Sequence, residues 1–401
     1  MAFRTLRSLD CRAKRVFVRV DFNVPLSVEG GVADDTRIVA SLPTLRYLLE
    51  KGARLIVASH LGRPNGKRDP RQSLKPVRER LERCLRKPVA FAESIVGPEA
   101  VRAAKALQDG DVLLLENLRF DPREEQNDPG FSHELATLAT QYVNDAFGAA
   151  HRAHASTAGI TAYVPECAAG FLLERELSAL GKLLRDPERP FVAILGGAKI
   201  SGKIDVLRNL LPRVDRLIVG GGMMFTFLRA KGLETGKSLV EEDRIDMARE
   251  ILAMPEAKRL LVPADCRVAA DISGADSGRV VPTDKIPPGL SGVDLGERSV
   301  EAIRAALEEA KTVFWNGPMG VFEVPAYAEG TLETAKAVAQ ATSRGAFTVV
   351  GGGDSLAAIH QAGLEHQISH LSTGGGASLE FLEGRVLPGV AALEATTKAA
   401  S

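Results

Sequence analysis

Two sets of residues in this chain have types and spacing that suit chemistry on phosphorylated anions. The first is Asp21 and Asn23, then His60-Leu61-Gly62-Arg63, then Arg119, then Arg152. Guanidinium forks and imidazoles grip small anions. The second is Gly196-Gly197-Ala198-Lys199, Gly220-Gly221-Gly222, Asn316-Gly317-Pro318, Gly351-Gly352-Gly353-Asp354 and Gly374-Gly375-Gly376. There, absent side chains let backbone amides approach a polyphosphate. Taken singly, a triple glycine is more often a tight turn, and a lone arginine or histidine a solvated or satisfied residue. The co-occurrence is what carries weight: each set follows apolar runs, one chemistry per half of the chain.

The lysines need care. Gly197-Ala198-Lys199-Ile200-Ser201-Gly202-Lys203-Ile204 fits the spacing of a P-loop, but Ile204 stands where that loop needs Ser or Thr on Mg²⁺. A P-loop NTPase is therefore disfavoured. If a helix starts here, Lys199 and Lys203 lie one turn apart and both can face phosphates. Asp354 offers a hard carboxylate for Mg²⁺ beside glycines that open a helix amino terminus. No glycine cluster has the dinucleotide-binding spacing.

The elements that must hold these residues are legible as short apolar runs alternating with stretches of helical period, the pattern of βα units on a parallel sheet. The runs are Val16–Val20, Arg54–Ala58, Val89–Phe91, Val112–Leu115 and Tyr142–Val143, then Phe191–Leu195, Arg216–Val219, Arg259–Val262, Val313–Trp315, Phe347–Val350 and Ile368–Leu371. Helical stretches include Thr36–Lys51, Leu74–Arg86, Ile204–Leu211, Ser299–Lys311, Glu329–Ser343 and Leu356–Ala362. In open parallel sheets, ligands bind beyond the carboxyl ends of the strands, where the unusual residues fall. The expected fold is α/β: two doubly wound, Rossmann-like parallel-sheet domains joined by a helical hinge. The long amphipathic stretch Leu172–Arg185, closed by Pro187 and Pro190, reads as the connecting helix. The domain limits expected are 1–172 and 191–376, with 173–190 as the hinge.

The chain's 401 residues suit two domains, and its 45% hydrophobic and 25% charged composition is that of a globular protein. Lys+Arg and Asp+Glu number 51 each, which argues against a general nucleic-acid or membrane-surface binder. Any anion site must be a local cluster. Cys11, Cys84, Cys167 and Cys266 have no metal or redox spacing and read as reduced thiols. The start at Met1 lacks the apolar core of a signal peptide, and no apolar run would span a bilayer. The cytoplasm is the expected compartment.

With those residues in hand, the chain resembles the phosphoglycerate kinase family from end to end. The resemblance rests on Arg19-Val20-Asp21-Phe22-Asn23-Val24-Pro25, His60–Pro64, Leu115–Phe120, Asn144–Gly148, His151–Ser156, Gly196–Lys199, Gly220–Thr226, Trp315–Glu323, Gly351–Ser355 and Ser372–Ser378. It implies that Asp21, Asn23, Arg37, His60, Arg63, Arg119 and Arg152 bind 3-phosphoglycerate or 1,3-bisphosphoglycerate in the amino-terminal domain. It implies that Gly196, Gly197, Lys203, Gly220, Gly221, Asn316, Glu323 and Gly352-Gly353-Asp354-Ser355 bind ATP or ADP, with Asp354 on Mg²⁺. Arg37, Lys199 and the backbone at Gly353 and Gly376 would stabilise the phosphoryl in flight. The family also implies a monomer, and a return of residues 377–401 to the first domain. The acceptor carboxylate is already ionised at neutral pH, so no general base is required, and the motifs supply none. The domains would have to close on both substrates. Another acyl-phosphate kinase and a hinged binding protein are the competing readings; the arginine set argues against the former and turnover separates the latter.

Overall fold

The computed structural model describes residues 3–399, so Met1 and Ser401, at the ends of the expected domain limits, lie outside it. The chain divides into two compact units. One runs to Ser178 and resumes at Val386; the other is Ala179–Arg385.

The first unit is built on a six-stranded sheet of β1 (Arg15–Val20), β2 (Arg54–Ala58), β3 (Ala90–Ala92), β4 (Val112–Leu115), β5 (Gln141–Asp145) and β6 (Glu166–Ala169) in the order β3-β4-β2-β1-β5-β6. Every pairing is parallel; Val18, for example, lies opposite Val57 on one side and Val143 on the other. Helices cover both faces of such a sheet, so β1 is buried at all but its first residue, and its apolar run is nearly unbroken. The second unit repeats the plan with β7 (Phe191–Leu195), β8 (Arg216–Val219), β9 (Leu260–Leu261), β13 (Thr312–Asn316), β14 (Phe347–Gly351) and β15 (His370–Ser372), ordered β15-β14-β13-β7-β8-β9 and again all parallel. Two doubly wound α/β sheets are thus the observed architecture.

Two features escape the periodicity. Strand β6 is small residues, Cys167-Ala168-Ala169, with too little apolar bulk to register as a strand. A separate antiparallel sheet, β10 (Asp265–Ala269), β11 (Arg279–Pro282) and β12 (Ser291–Leu295), has the order β11-β10-β12. Its strands carry Arg, Asp, Gly and Pro, which read as loop.

The stretch read as the connector lies in the helix Phe171–Arg185, and the break between the compact units falls inside it, after Ser178. Its amino end is held by Asp145, whose carboxylate accepts from the amides of Leu172 (2.9 Å) and Leu173 (3.3 Å). The helix Gly376–Leu382 stays with the second unit, where Asn209 donates to the Leu382 carbonyl and Arg385 pairs with Asp205 at 3.1 Å. Beyond it the helix Pro388–Ala399 packs in the first unit, with the Gly389 amide bonded to the Ala150 carbonyl at 2.9 Å.

Burial pushes the Asp145 carboxyl up to about 6, against the bonds from Leu173 and Leu172. A raised carboxyl stabilises the fold most when it is neutral. That contribution is present below about pH 4 and is lost as pH rises through about 6. In Asp145→Asn the urea midpoint of the first unit should therefore fall less between about pH 4.5 and about pH 7.5 than in the parent; an equal fall would remove Asp145 as its source.

Candidate active site

In the first unit the site grows from the carboxyl ends of β1, β2, β4 and β5. Asp21 follows β1 directly and is buried, and its Oδ2 accepts from Arg37 at 2.6 Å. Arg37 is the second residue of the helix Thr36–Glu50, so its guanidinium is delivered by a rigid element and aimed by a carboxylate. Asn23 accepts from the Gly62 amide (2.9 Å), and Asn117 clasps Leu61 through both its amide and its carbonyl. These bonds hold the His60–Arg63 loop in one shape. Arg119, mostly buried, donates to the Gly62 carbonyl at 2.9 Å; its Nε lies 3.2 Å from Glu125 but is off line for a hydrogen bond. Arg63 and Arg152 are exposed, Arg63 without a partner among the described residues and Arg152 donating to His151 at 3.2 Å.

The electrostatics are one-sided. His60 is 5% exposed, and burial together with Arg19, Arg119, Arg37 and His154 holds it well below the usual imidazole range. His154 is pushed down to about 3, first by burial and then by Arg19, Arg119 and Arg152. Burial and the neighbouring arginines also lower Arg119, which nevertheless stays a cation at neutral pH. Groups from four strand ends therefore bear on one place, a field that a multiply charged anion would neutralise.

Beneath that surface lies a layer the residue types did not single out. Arg19, inside β1 and fully buried, donates to Ser156 Oγ (2.8 Å), to its neighbour's carbonyl and to His60 Nδ1 (3.2 Å). Ser156 in turn donates to fully buried Glu124 at 2.6 Å. An arginine between two valines of an apolar strand was the available signal. Glu124, within Pro122-Arg123-Glu124-Glu125, offers none, because such a run usually faces solvent.

The second unit works with backbone. At the end of β7, a Cβ on Gly196 would meet the Pro318 carbonyl oxygen at 2.2 Å, and the Gly197 amide bonds that same carbonyl at 2.8 Å. The two loops close only because no side chain stands between them. Gly220 and Gly221 follow β8, where the Gly220 amide bonds the Leu195 carbonyl (2.9 Å) and the Gly221 amide the Met319 carbonyl (3.0 Å). Lys203 Nζ donates to the carbonyls of Gly196 and Asn316 (2.9 Å to the latter), lashing the ends of β7 and β13 together. Burial lowers Lys203 to about 8, with Asp354 acting the other way.

The condition under which one helix would carry both lysines is not met: the helix Ile204–Leu210 starts after Lys203, and Ile200–Lys203 is a turn. Lys203 is turned inward and Lys199 stands exposed without a partner among the described residues. The turn is shaped by Glu241, unforeseen in the sequence, which accepts from the amides of Ile200 and Ser201 (3.0 Å to the latter) and from Ser201 Oγ at 2.6 Å.

At β14 the chain passes through Gly352, with a left-handed φ of 92°, into the helix Gly353–Ala362. Asp354 is exposed in its first turn and bonded to no described residue, while buried Ser355 accepts from the Gly317 amide. The Nδ2 of Asn316 is sealed from solvent without a partner, next to Gly352. Gly376 is exposed at the start of its own helix. A cavity of about 450 Å³ lies alongside, lined by Gly197, Asp354 and Glu323 and by apolar Phe225, Leu239 and Ile272. The apolar walls were not separable from core residues in the sequence. A larger groove of about 1000 Å³ in the first unit has Arg80 paired with Asp35 and Arg68 near Glu93 and Glu116, so its charges largely cancel.

Comparison with known proteins agrees along the whole chain. The family model described as phosphoglycerate kinase matches residues 6–385. Phosphoglycerate kinase of Prosthecochloris aestuarii is 54% identical over 395 residues, 98% of this chain and 100% of that protein. That of Chlorobium chlorochromatii is 56% identical over the same share. Among solved structures, phosphoglycerate kinase from Coxiella burnetii superposes with a TM-score of 0.89 at 40% identity, covering all of both chains. The Pyrococcus horikoshii enzyme gives 0.87 at 34%, covering 99% of this chain and all of that one. Two doubly wound units with these strand-end loops define an α/β kinase that phosphorylates a carboxyl group. Within that class, the chain belongs to the phosphoglycerate kinase family, the glycolytic kinases.

The Glu241 contacts are charge-assisted, each worth about 1.5–3 kcal/mol. Glu241→Ala should speed amide exchange at Ile200 and Ser201 by at least roughly tenfold while β7 and β13 are unaffected. Unchanged exchange would show that the turn holds itself.

Proposed function

We propose that this enzyme moves a phosphoryl group reversibly between 1,3-bisphosphoglycerate and ADP, giving 3-phosphoglycerate and ATP. The observation that carries the substrate assignment is that Arg37 and Arg119 both bear on neutral His60 and Arg152 on Arg119, with Arg63 exposed on the loop that follows His60. Several forked cations suit a ligand with its own phosphate as well as a carboxylate. In this reading Arg63, Arg119 and Arg152 take the non-transferred phosphate, Asp21 and Asn23 orient the glycerate, and His60 adds an uncharged contact.

The nucleotide belongs to the second unit. Phe225, Leu239 and Ile272 offer a base an apolar slot, with Glu323 at its rim. The amides at Gly196, Gly197, Gly220, Gly221, Gly352 and Gly353, together with Ser355 and Asn316, border the phosphates. The orphaned Asn316 Nδ2 supports a ligand there, since a sealed donor without a partner is costly. Lys203 serves by holding that frame. The fit to Mg²⁺ is good: Asp354 is a hard carboxylate with no partner among the described residues, and Mg²⁺ commonly takes one carboxylate plus substrate phosphates. Bound there, Mg²⁺ would offset charge on the phosphates.

Arg37 from one unit, Lys199 from the other and the amides at Gly353 and Gly376 would neutralise the phosphoryl during transfer, after closure on both substrates. Arg37 is held by Asp21 and Lys199 stands exposed, so the first is pre-aimed and the second recruited. A monomer in the cytoplasm, with no nucleic-acid or membrane partner, completes the reading; no helix among the described residues is long and apolar enough to cross a bilayer.

The test is ATP- and Mg²⁺-dependent phosphorylation of 3-phosphoglycerate, coupled to NADH oxidation through glyceraldehyde-3-phosphate dehydrogenase. Turnover is expected, with kcat roughly 10²-fold lower in Arg37→Ala and in Lys199→Ala. Near-parental kcat in either variant would remove that residue from the transfer step. Asp354→Asn should raise the Mg²⁺ concentration needed for half-maximal rate by about tenfold or more, with little change in the KM for 3-phosphoglycerate.

A further inference from the structure

We infer that Arg19 is a positioning residue: it fixes His60 in the tautomer that carries its proton on Nε2, so the pocket presents an uncharged N–H donor there. The inference rests on the substrate reading above only for what that donor meets. The tautomer itself follows from protons that have nowhere else to be. A guanidinium has five N–H groups and no acceptor, and it keeps its charge in proteins. At 3.2 Å from Arg19, His60 Nδ1 must therefore be the acceptor, and its lone pair must face the guanidinium. The ring's one remaining proton is on Nε2, which bonds to no described residue and is not among the sealed, partnerless polar atoms.

Arg19 cannot turn away to release the ring. Its Nε donates to Ser156 Oγ at 2.8 Å, and that hydroxyl's own proton goes to Glu124 Oε1 at 2.6 Å. The Ser156 amide also donates to Glu124, at 2.9 Å, and Tyr142 donates to the Ser156 carbonyl at 2.8 Å. Glu124, Ser156, Arg19 and Tyr142 are all fully buried, so water does not compete for these bonds. The order of donation runs one way, from Arg19 through Ser156 to Glu124 and from Arg19 to His60. Protonating Glu124 would not reverse it, because Arg19 can only give.

Protonating His60 is opposed from several sides. Arg19, Arg119 and Arg37 face it with positive charge, while His154, itself pushed down to about 3, is neutral near neutral pH. The nearest carboxylate is Asp21, with Oδ1 3.9 Å from Nδ1 and Oδ2 engaged by Arg37. Glu124 is reached only through Ser156 and Arg19. A pocket built this way has permanent cations for charge and one permanent neutral donor for direction. Its affinity for an anion should then be indifferent to histidine titration near neutral pH, where a free imidazole would switch.

The test is nitrogen NMR of the imidazoles in the full-length enzyme labelled at its seven histidines, assigned with His60→Gln. The expected result is His60 with Nδ1 bare and Nε2 protonated, constant between about pH 6 and about pH 8. In Arg19→Met this pattern should be lost, through exchange between tautomers or titration to imidazolium. The KM for 3-phosphoglycerate should then rise by about tenfold and become pH-dependent over that range, while the KM for ATP holds. A proton on Nδ1 of the parent enzyme, or its titration within that range, overturns the inference without recourse to any variant. So does an unchanged tautomer in a folded Arg19→Met. Should the parent show the expected tautomer but no shift of Nε2 on adding 3-phosphoglycerate, the inference about Arg19 stands and the substrate reading falls.

Discussion

Everything that matters chemically in this molecule depends on where its parallel strands change direction of growth. In the first sheet the chain lays β2 on one side of β1, continues outward, then returns to place β5 on the other side. In the second it builds β8 and β9 on one side of β7 and later lays β13 on the opposite side. At each such switch the two loops leaving adjacent strands part in opposite directions, and a crevice opens beyond the strand ends. Arg19, Asp21 and the His151–Ser156 segment meet at the first crevice, and Gly196, Lys203 and Asn316 at the second. Neither crevice needs a dedicated element. Each follows from the handedness of crossover connections and the order of strands.

Given the same crevice, the two units solve the problem of holding it open differently. In the second, carbonyls and amides of facing loops bond each other, and Lys203 ties two carbonyls from below. Close approach is the requirement, so glycine is obligatory where the β7 loop meets Pro318. In the first, long side chains meet, and the requirement is that like charges tolerate one another. Asp21, Glu125 and buried Glu124 each offset part of the arginine field from the protein side. The remaining positive charge faces outward, where an anionic ligand can answer it.

This difference explains what was legible in the sequence. Strands such as Phe191–Leu195 and helices such as Glu329–Ser343 were visible with their limits, because both faces of a buried parallel strand are apolar and helical period is long. Glycine clusters marked the second crevice because close backbone approach leaves a compositional trace. Surface-pointing Arg63 and Arg152 were visible as residue types in a suspicious place. What was hidden is the layer behind them. Glu124 and Glu241 look like any solvated acid until the fold brings Ser156 and the Ile200–Ser201 turn against them. The small antiparallel sheet was hidden for a related reason: its stability comes from pairing across strands that individually have weak strand propensity.

The two lysines show how spacing alone can mislead. Four residues apart, they invite placement on one helical face, and a phosphate-gripping role for each. The turn held by Glu241 separates them instead, sending Lys203 down between two carbonyls and leaving Lys199 at the surface. A lysine that bonds two buried carbonyls has little freedom to follow a moving phosphoryl. One on an exposed turn, with four carbons of reach and no partner among the described residues, has that freedom. Under the proposed reading, a division of labour between them would be set by the turn rather than by the side chains, which are chemically identical. An anchored cation frames the crevice, and a loose one is free to move with the charge.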